Sequence, residues 1–343
     1  MRRRFIALLF GLALSSAAAP VLAAAAAPAA PAVVRFQDYP GLGNLLIRVA
    51  ASKGYCAQEG LVCKLTMIPA APLGLQALIG GSIDVAMTPV EVVAEAVMRG
   101  SRLRAVVGAA VTNINEVAVA ASLPMPHQGQ GYPAEMQDLK GRRVGVTSRG
   151  SAAESFFSFL LEQAGMRADD VTYVAVGAPN TAFAALRAGQ VDAIVSWEPA
   201  GVMCELTKQC RMVFRSATAP KPDLLKAMNG AGADLVMRAD EVDRQPAIAQ
   251  ALARISKRAA DFVNDPANKA EVLKISAGYF AFDMPQGDLI ARRTLEQALE
   301  LHTYSPVVSR AAVQATLAYL KQTKRLAAVP ALADIVWPQA PGR

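Results

Sequence analysis

Between an apolar run and an amphipathic one the chain reads "TSRGSA", from Thr147 to Ala152. The preceding "RRVGV" has the pattern of a buried strand, and "SAAESFFSFLLEQAG" has that of a helix. The hydroxyls of Thr147, Ser148 and Ser151 therefore stand where the first amides of a helix have no intrahelical partner. Such amides, at the positive end of the helix dipole, form a cradle for an anion. Ser148 or Ser151 also reads as the helix N-cap, a role compatible with binding. Arg149 either pairs with the same anion or stands in solvent. The stretch misses the GxSxG elbow of serine hydrolases by one residue, and neither histidine, His127 or His302, is placed to serve it. "GLGNLL" lacks the third glycine of a dinucleotide loop, and no Walker loop or HExxH occurs.

Two aspartates come next, because the chain writes their surroundings twice. "GGSIDVAMTPV" begins at Gly80 and "AGQVDAIVSWEP" at Ala188, so that Gly81 falls on Gly189, Ile83 on Val191 and Asp84 on Asp192. An aspartate at a helix-to-strand turn bonds backbone amides, and this structural role is the one expected of both. The apolar residues that follow make a buried strand in each copy. Its end delivers Thr88 and Pro89 in the first copy, and Trp197, Glu198 and Pro199 in the second. Ligands of open α/β sheets bind beyond the carboxyl ends of strands. A tryptophan face there is suited to stacking on a ligand.

The elements that position these residues follow a repeated grammar. "AVVRFQDY", "LVCKLTMI", "IDVAMT" and "RLRAVVGAAV" read as strands, with the helices "GLGNLLIRVAASKGY", "LGLQALIGG" and "VEVVAEAVMRG" between them. The same alternation restarts with "GRRVGVTS" and runs through "VTYVAVG", "NTAFAALRAG" (capped by Asn180 or Thr181), "VDAIVSW" and "CRMVFRS". Alternation of this kind predicts parallel α/β sheets. "TNINEVAVAASLP" reads as a crossing into a second lobe and "NGAGADLVMRADEVDRQP" as the way back. From about Pro246 the chain is mostly helical and is expected to pack on the first lobe. The expected lobes are residues 33–115 with 233–343, and residues 116–232.

The chain has 343 residues, 53% of them hydrophobic and 18% charged, a globular composition long enough for two modest domains. Three arginines, an apolar run and small residues at Val21 and Ala23 mark residues 1–23 as a secretory signal, followed by an Ala/Pro-rich leader, 24–32. Without Arg2, Arg3 and Arg4 the formal charge falls from +7 to +4, too small and too dispersed a surplus to argue for nucleic acid. Export makes the compartment oxidising, and the four cysteines form two close pairs, Cys56/Cys63 and Cys204/Cys210. Three connectivities are open, of which proximity favours the two local bridges. A zinc site would want CxxC or histidine partners, which the sequence does not offer, so neither metal nor cofactor is expected.

"SKGYCAQEGLVCKL", "GGSIDVAM", "DLKGRRVGVTSRGSAAESFFSFLLEQAGM" and "AGQVDAIVSWEP" together resemble the nitrate/sulfonate/taurine-type substrate-binding proteins of bacterial ABC importers. The resemblance spans most of the chain. It implies two Rossmann-like lobes, the type II periplasmic binding fold, joined by a hinge with the ligand cleft between them. It also implies ligand contacts from Asp38 and Tyr39, Thr88, Asn113 and Asn115, the segment Thr147 to Ala152, Asn180, and Trp197 with Glu198. The expected function is capture of a small organic anion, without chemistry, in the periplasm. Delivery would be to the permease and ATPase subunits of an importer, by a monomer. A sensor presenting its solute to a receptor remains open, as does a cofactor-pathway enzyme of the same fold. The cysteine-rich motif of the iron-dependent pyrimidine synthases is missing. Glu198 with Asp38 leaves a cationic ligand as the weaker alternative.

Overall fold

The computed structural model describes residues 30–39, 41–177, 179–279 and 286–342. The expected signal sequence and residues 24–29 of the leader lie outside them. Among the described residues ten strands are formed: β1 (Ala32–Asp38), β2 (Leu61–Met67), β3 (Ala86–Thr88), β4 (Leu103–Ala110), β5 (Glu116–Ala120), β6 (Arg143–Val146), β7 (Thr172–Ala175), β8 (Ala193–Ser196), β9 (Cys210–Arg215) and β10 (Ala233–Arg238). They make two sheets with the same plan. The first runs β2-β1, joined through a bridge between Phe36 and Val85 to β3-β10-β4, and the second runs β7-β6-β8-β5-β9.

The sheets are not wholly parallel, as the alternation predicts. β1/β2, β6/β7 and β6/β8 are parallel, but β10 lies antiparallel between β3 and β4, and β5 antiparallel between β8 and β9. The two crossings are therefore strands in their own right. Each enters the sheet of the lobe it reaches and fills an inner position. Nothing in an apolar run such as "EVAVA" states its direction, which is set by the side from which the chain arrives.

The repeated phrase has a physical counterpart. Asp84 accepts from the main-chain amide and guanidinium of Arg35, and Asp192 does the same with Arg143, each pair 49 residues apart. In return the Asp84 and Asp192 amides donate to the carbonyls of Arg35 and Arg143, both at 2.8 Å. Gly81 and Gly189 take φ of 76° and 67°, a region in which a side chain would be strained. The backbone-bonding role expected of both aspartates is thus observed, but the amide comes from a distant strand, β1 in the first lobe and β6 in the second, and brings an arginine with it.

Both local disulfides are formed. Cys56–Cys63, with Cα atoms 6.0 Å apart, ties the short helix Tyr55–Gln58 to β2. Cys204–Cys210, at 4.8 Å, ties the helix Ala200–Thr207 to β9. The tail packs mainly on the first lobe. The helix Pro246–Asn264 lies on the helix Leu45–Ser52 and on β4, and Arg310–Gln322 on the helix Val90–Met98, while Gly287–Glu300 reaches the helix Ala200–Thr207 beside the second sheet.

The two crossings are zipped together side by side. The amides of Gly230 and Gly232 both donate to the Val111 carbonyl, and the Asn113 amide donates to Asn229 Oδ1. Ser216 Oγ lies within hydrogen-bond distance of Asn113 Oδ1 and of the Asn113 and Asn115 carbonyls. A Cβ on Gly232 would collide with the carbonyls of Ala110 and Thr112, so only glycine allows this approach.

Candidate ligand-binding cleft

A cleft of about 620 Å³ opens where the strand ends of the two sheets face each other. One wall begins at the loop after β1. Arg48, fully buried in the helix Leu45–Ser52, pairs with Asp38 at 2.8 Å and donates to the carbonyls of Tyr39 and Gly41. Asp38 thus does not reach the cleft. It holds the arginine that orders the loop, and the loop presents Tyr39. Burial pushes the Tyr39 hydroxyl above its ordinary value, keeping it a neutral donor. Across the cleft stands Trp197, at the end of β8, with ring centroids 6.2 Å apart and planes tilted by 48°. Leu75, Ile79, Met87, Val92 and Ile114 add apolar lining.

The opposite wall is the start of the helix Ala152–Gln163, which is anchored by the buried Phe156, Phe157, Phe159, Leu160 and Leu161. Ser151 is its N-cap, accepting from the Glu154 amide at 3.3 Å. The Ser151 amide donates to Ser148 O, and the Gly150 amide to the Glu154 carboxylate. Among the described residues, the amides of Ala152 and Ala153 and the hydroxyls of Thr147 and Ser148 have no protein partner, and all four residues line the cleft. Arg149 lines it too, but its guanidinium is held by Glu154 and lies over the Tyr173 ring, 5.6 Å from the centroid. Of the two roles left open for Arg149, exposure to solvent is the one observed, with the side chain 63% exposed while it pairs with Glu154.

Other expected contacts fall elsewhere. Thr88 is fully buried beside Asp234 in the strand pairing, and neither its hydroxyl nor either carboxyl oxygen of Asp234 has a hydrogen-bond partner. Asn113 and Asn115 line the cleft, yet Asn113 Oδ1 is occupied by Asn115 and Ser216. Asn180 is exposed and away from the cleft. The helix there begins at Pro179, which places Asn180 and Thr181 inside its first turn and not before it, where the sequence pattern puts the cap. Glu198 points behind Trp197 into a separate space of about 70 Å³, which it shares with Glu116 and Arg215. Arg215 lies 3.0 Å from Glu116, 2.7 Å from Glu205 and 3.8 Å from Glu198. Burial, and for Glu116 the charge of Glu198, raises both buried carboxyls.

Sequence reasoning missed the charged cleft residues Glu91, Glu95, Arg99 and Arg325. Glu91, in the first turn of the helix Val90–Met98, lines the cleft with no ion-pair partner, and burial pushes its carboxyl up to about 7. Arg325 also lines the cleft from just beyond the helix Arg310–Gln322. Among the described residues no helix is long and apolar enough to cross a membrane. Nor do His, Cys, Asp and Glu side chains gather there in a group of three able to hold a metal.

Residues 42–277, more than half of the chain, match the family described as NMT1-like. The chain belongs to the NMT1-like family. A binding protein of Brucella abortus is 28% identical over 158 residues, which is 46% of this chain and 45% of that protein. The chain thus spans about half the length of this relative. Among solved structures, a protein of Bordetella bronchiseptica RB50 is 26% identical with a TM-score of 0.66, over 91% of this chain and 94% of that one. The alkanesulfonate-binding protein of Xanthomonas axonopodis pv. citri, bound to MOPS, is 22% identical with a TM-score of 0.68, over 90% of this chain and 99% of that one. The fold is that of the periplasmic binding proteins, as the sequence resemblance implies.

Proposed function

We propose that this chain is an exported solute-binding protein that captures a small organic anion, a sulfonate or carboxylate, and delivers it to the permease of an ABC importer. The observation that carries the reading is the meeting of an apolar cleft with partner-free amides and hydroxyls at the start of a long helix, at Thr147, Ser148, Ala152 and Ala153. The acidic group would dock there, where the helix dipole and unsatisfied donors favour negative charge. An apolar body would lie against the Tyr39–Trp197 pair and the apolar lining beside it. A space of about 620 Å³ suits such a body better than an inorganic anion alone. Likeness to the sulfonate-binding fold supports this reading, as does the presence of pairs of cysteines bridged as in exported proteins.

In this reading the two crossings are the hinge. The ligand favours the closed arrangement by contacting both lobes, and no bond is made or broken. The test is a thermal-shift screen of sulfonates, carboxylates, nitrate and organic cations on the purified protein, since a ligand of the folded state raises its apparent stability. Organic anions are expected to raise the transition temperature. Thr147→Val with Ser148→Ala should weaken the best of them by about 1–3 kcal/mol, while Ser151 is left in place because it caps the helix. A response to cations alone, or anion binding unchanged in the double variant, would sink the proposal.

A further inference from the structure

Arg325 follows the last turn of a first-lobe helix, yet its guanidinium bridges the cleft. It lies 2.6 Å from Glu95 on the first-lobe wall. It also donates to the carbonyls of Ser151 at 3.3 Å and Gly150 at 3.4 Å on the second lobe. The side chain is 18% exposed, and it lines the cleft together with Ala152 and Ala153, whose amides have no partner. The backbone aims it there. Lys324 takes a left-handed φ of 56°, and the Leu326 amide donates to Leu320 O, an ending that turns the chain sharply after the helix.

We propose that Arg325 is the first-lobe half of the anion site and that Glu95 is its internal counter-ion until a ligand anion takes over. This rests on the anion reading of the cleft and deepens it by naming the cation. Arg149 is unavailable, since Glu154 holds it through two nitrogens. Arg99 is mostly exposed and only 3.9 Å from Glu95. Arg325 alone among these arginines stands beside the partner-free amides, with contacts to the carbonyls long enough to be exchanged. A guanidinium has five donors in a planar fork, so it can grip a sulfonate or carboxylate while keeping one contact to the wall. An anion held by Arg325 from one lobe and by the helix start from the other also ties the lobes together.

The experiment is titration calorimetry with naphthalene-2-sulfonate, benzenesulfonate and octanesulfonate, and with uncharged naphthalene-2-sulfonamide as the control. Arg325→Gln should lose about tenfold or more in sulfonate affinity and leave sulfonamide binding unchanged, with Arg325→Lys in between. Glu95→Gln should bind the sulfonates about two- to fivefold more tightly, because the competing carboxylate is gone. A merely structural latch predicts the reverse for Glu95→Gln, and this variant decides the matter even if Arg325→Gln fails to fold. Equal sulfonate affinity in Arg325→Gln, or weaker binding in Glu95→Gln, would overturn the inference alone. A parent protein that binds none of the sulfonates would overturn the anion reading and this inference with it.

Discussion

Near the start of β10, Asp234 is sealed from solvent beside Thr88, and neither of its oxygens meets a donor. Burial, reinforced by the nearby charge of Glu91, pushes its carboxyl up to about 8. The unfolded chain has no such burial and releases this proton in the ordinary aspartate range. Below that range both states hold the proton and the residue adds no pH-dependent cost. From there up to about pH 8 the folded chain keeps a proton that the unfolded chain has lost, so stability falls as pH rises. Asp234→Asn removes this burden and is expected to stabilise the protein by roughly 1–3 kcal/mol near neutral pH, with little gain near pH 4. Urea unfolding of both proteins at the two pH values measures it. An equal effect at both would show that the aspartate does not titrate as its surroundings require.

At the scale of elements, one arginine–aspartate clamp in each lobe fastens β1 to the turn before β3 and β6 to the turn before β8. Hydrogen bonds from Arg143 hold the Asp192 carboxyl low. For Asp84, burial works the other way but the bonds from Arg35 outweigh it. Because both folded-state values are depressed, the contribution is present above the ordinary carboxylate range and is lost as pH falls through it. Asp84→Asn and Asp192→Asn should therefore cost similar amounts at neutral pH, about 1 kcal/mol each, and converge on the parent in acid. Thermal denaturation across that range tests the pair, and a cost confined to one of them would break the equivalence. This clamp was half legible in the sequence. The repeated glycine, apolar residue and aspartate gave the turn, the strand and the two-lobed plan, because local patterning carries them. The arginines were hidden by distance along the chain, and so was Arg325, 174 residues from the Ser151 carbonyl it touches. Asp38, Thr88 and Glu198 were placed at the correct strand ends. Which way a side chain turns there depends on neighbours such as Arg48, Asp234 and Arg215, which no local pattern names.

For the whole molecule, the proposed function requires movement about residues 111–116 and 230–233, where the two crossings lie zipped together. A ligand that touches both walls shifts the population toward the closed form only by the difference in its affinity for the two forms. Small-angle scattering should show a smaller radius of gyration on saturation with a tight anion. Gly232→Ala, which forces a side chain against the Ala110 and Thr112 carbonyls, should change that response or the fold itself. An unchanged radius at saturation in the parent would count against closure.

The way the crossings are woven also sets the order in which the sheets can be completed as the chain becomes available from its N-terminus. β5 to β9 are continuous in the chain, so the second sheet has all its strands once the chain is available as far as Arg215. The first sheet is begun earlier but must wait for β10, which arrives only after every strand of the other lobe has been made. Until then β3 and β4 have no strand between them, and each presents an unpaired edge of the kind that invites pairing with other chains. The half of the protein that starts first is the half that finishes last, and its waiting edges are where mispairing would begin.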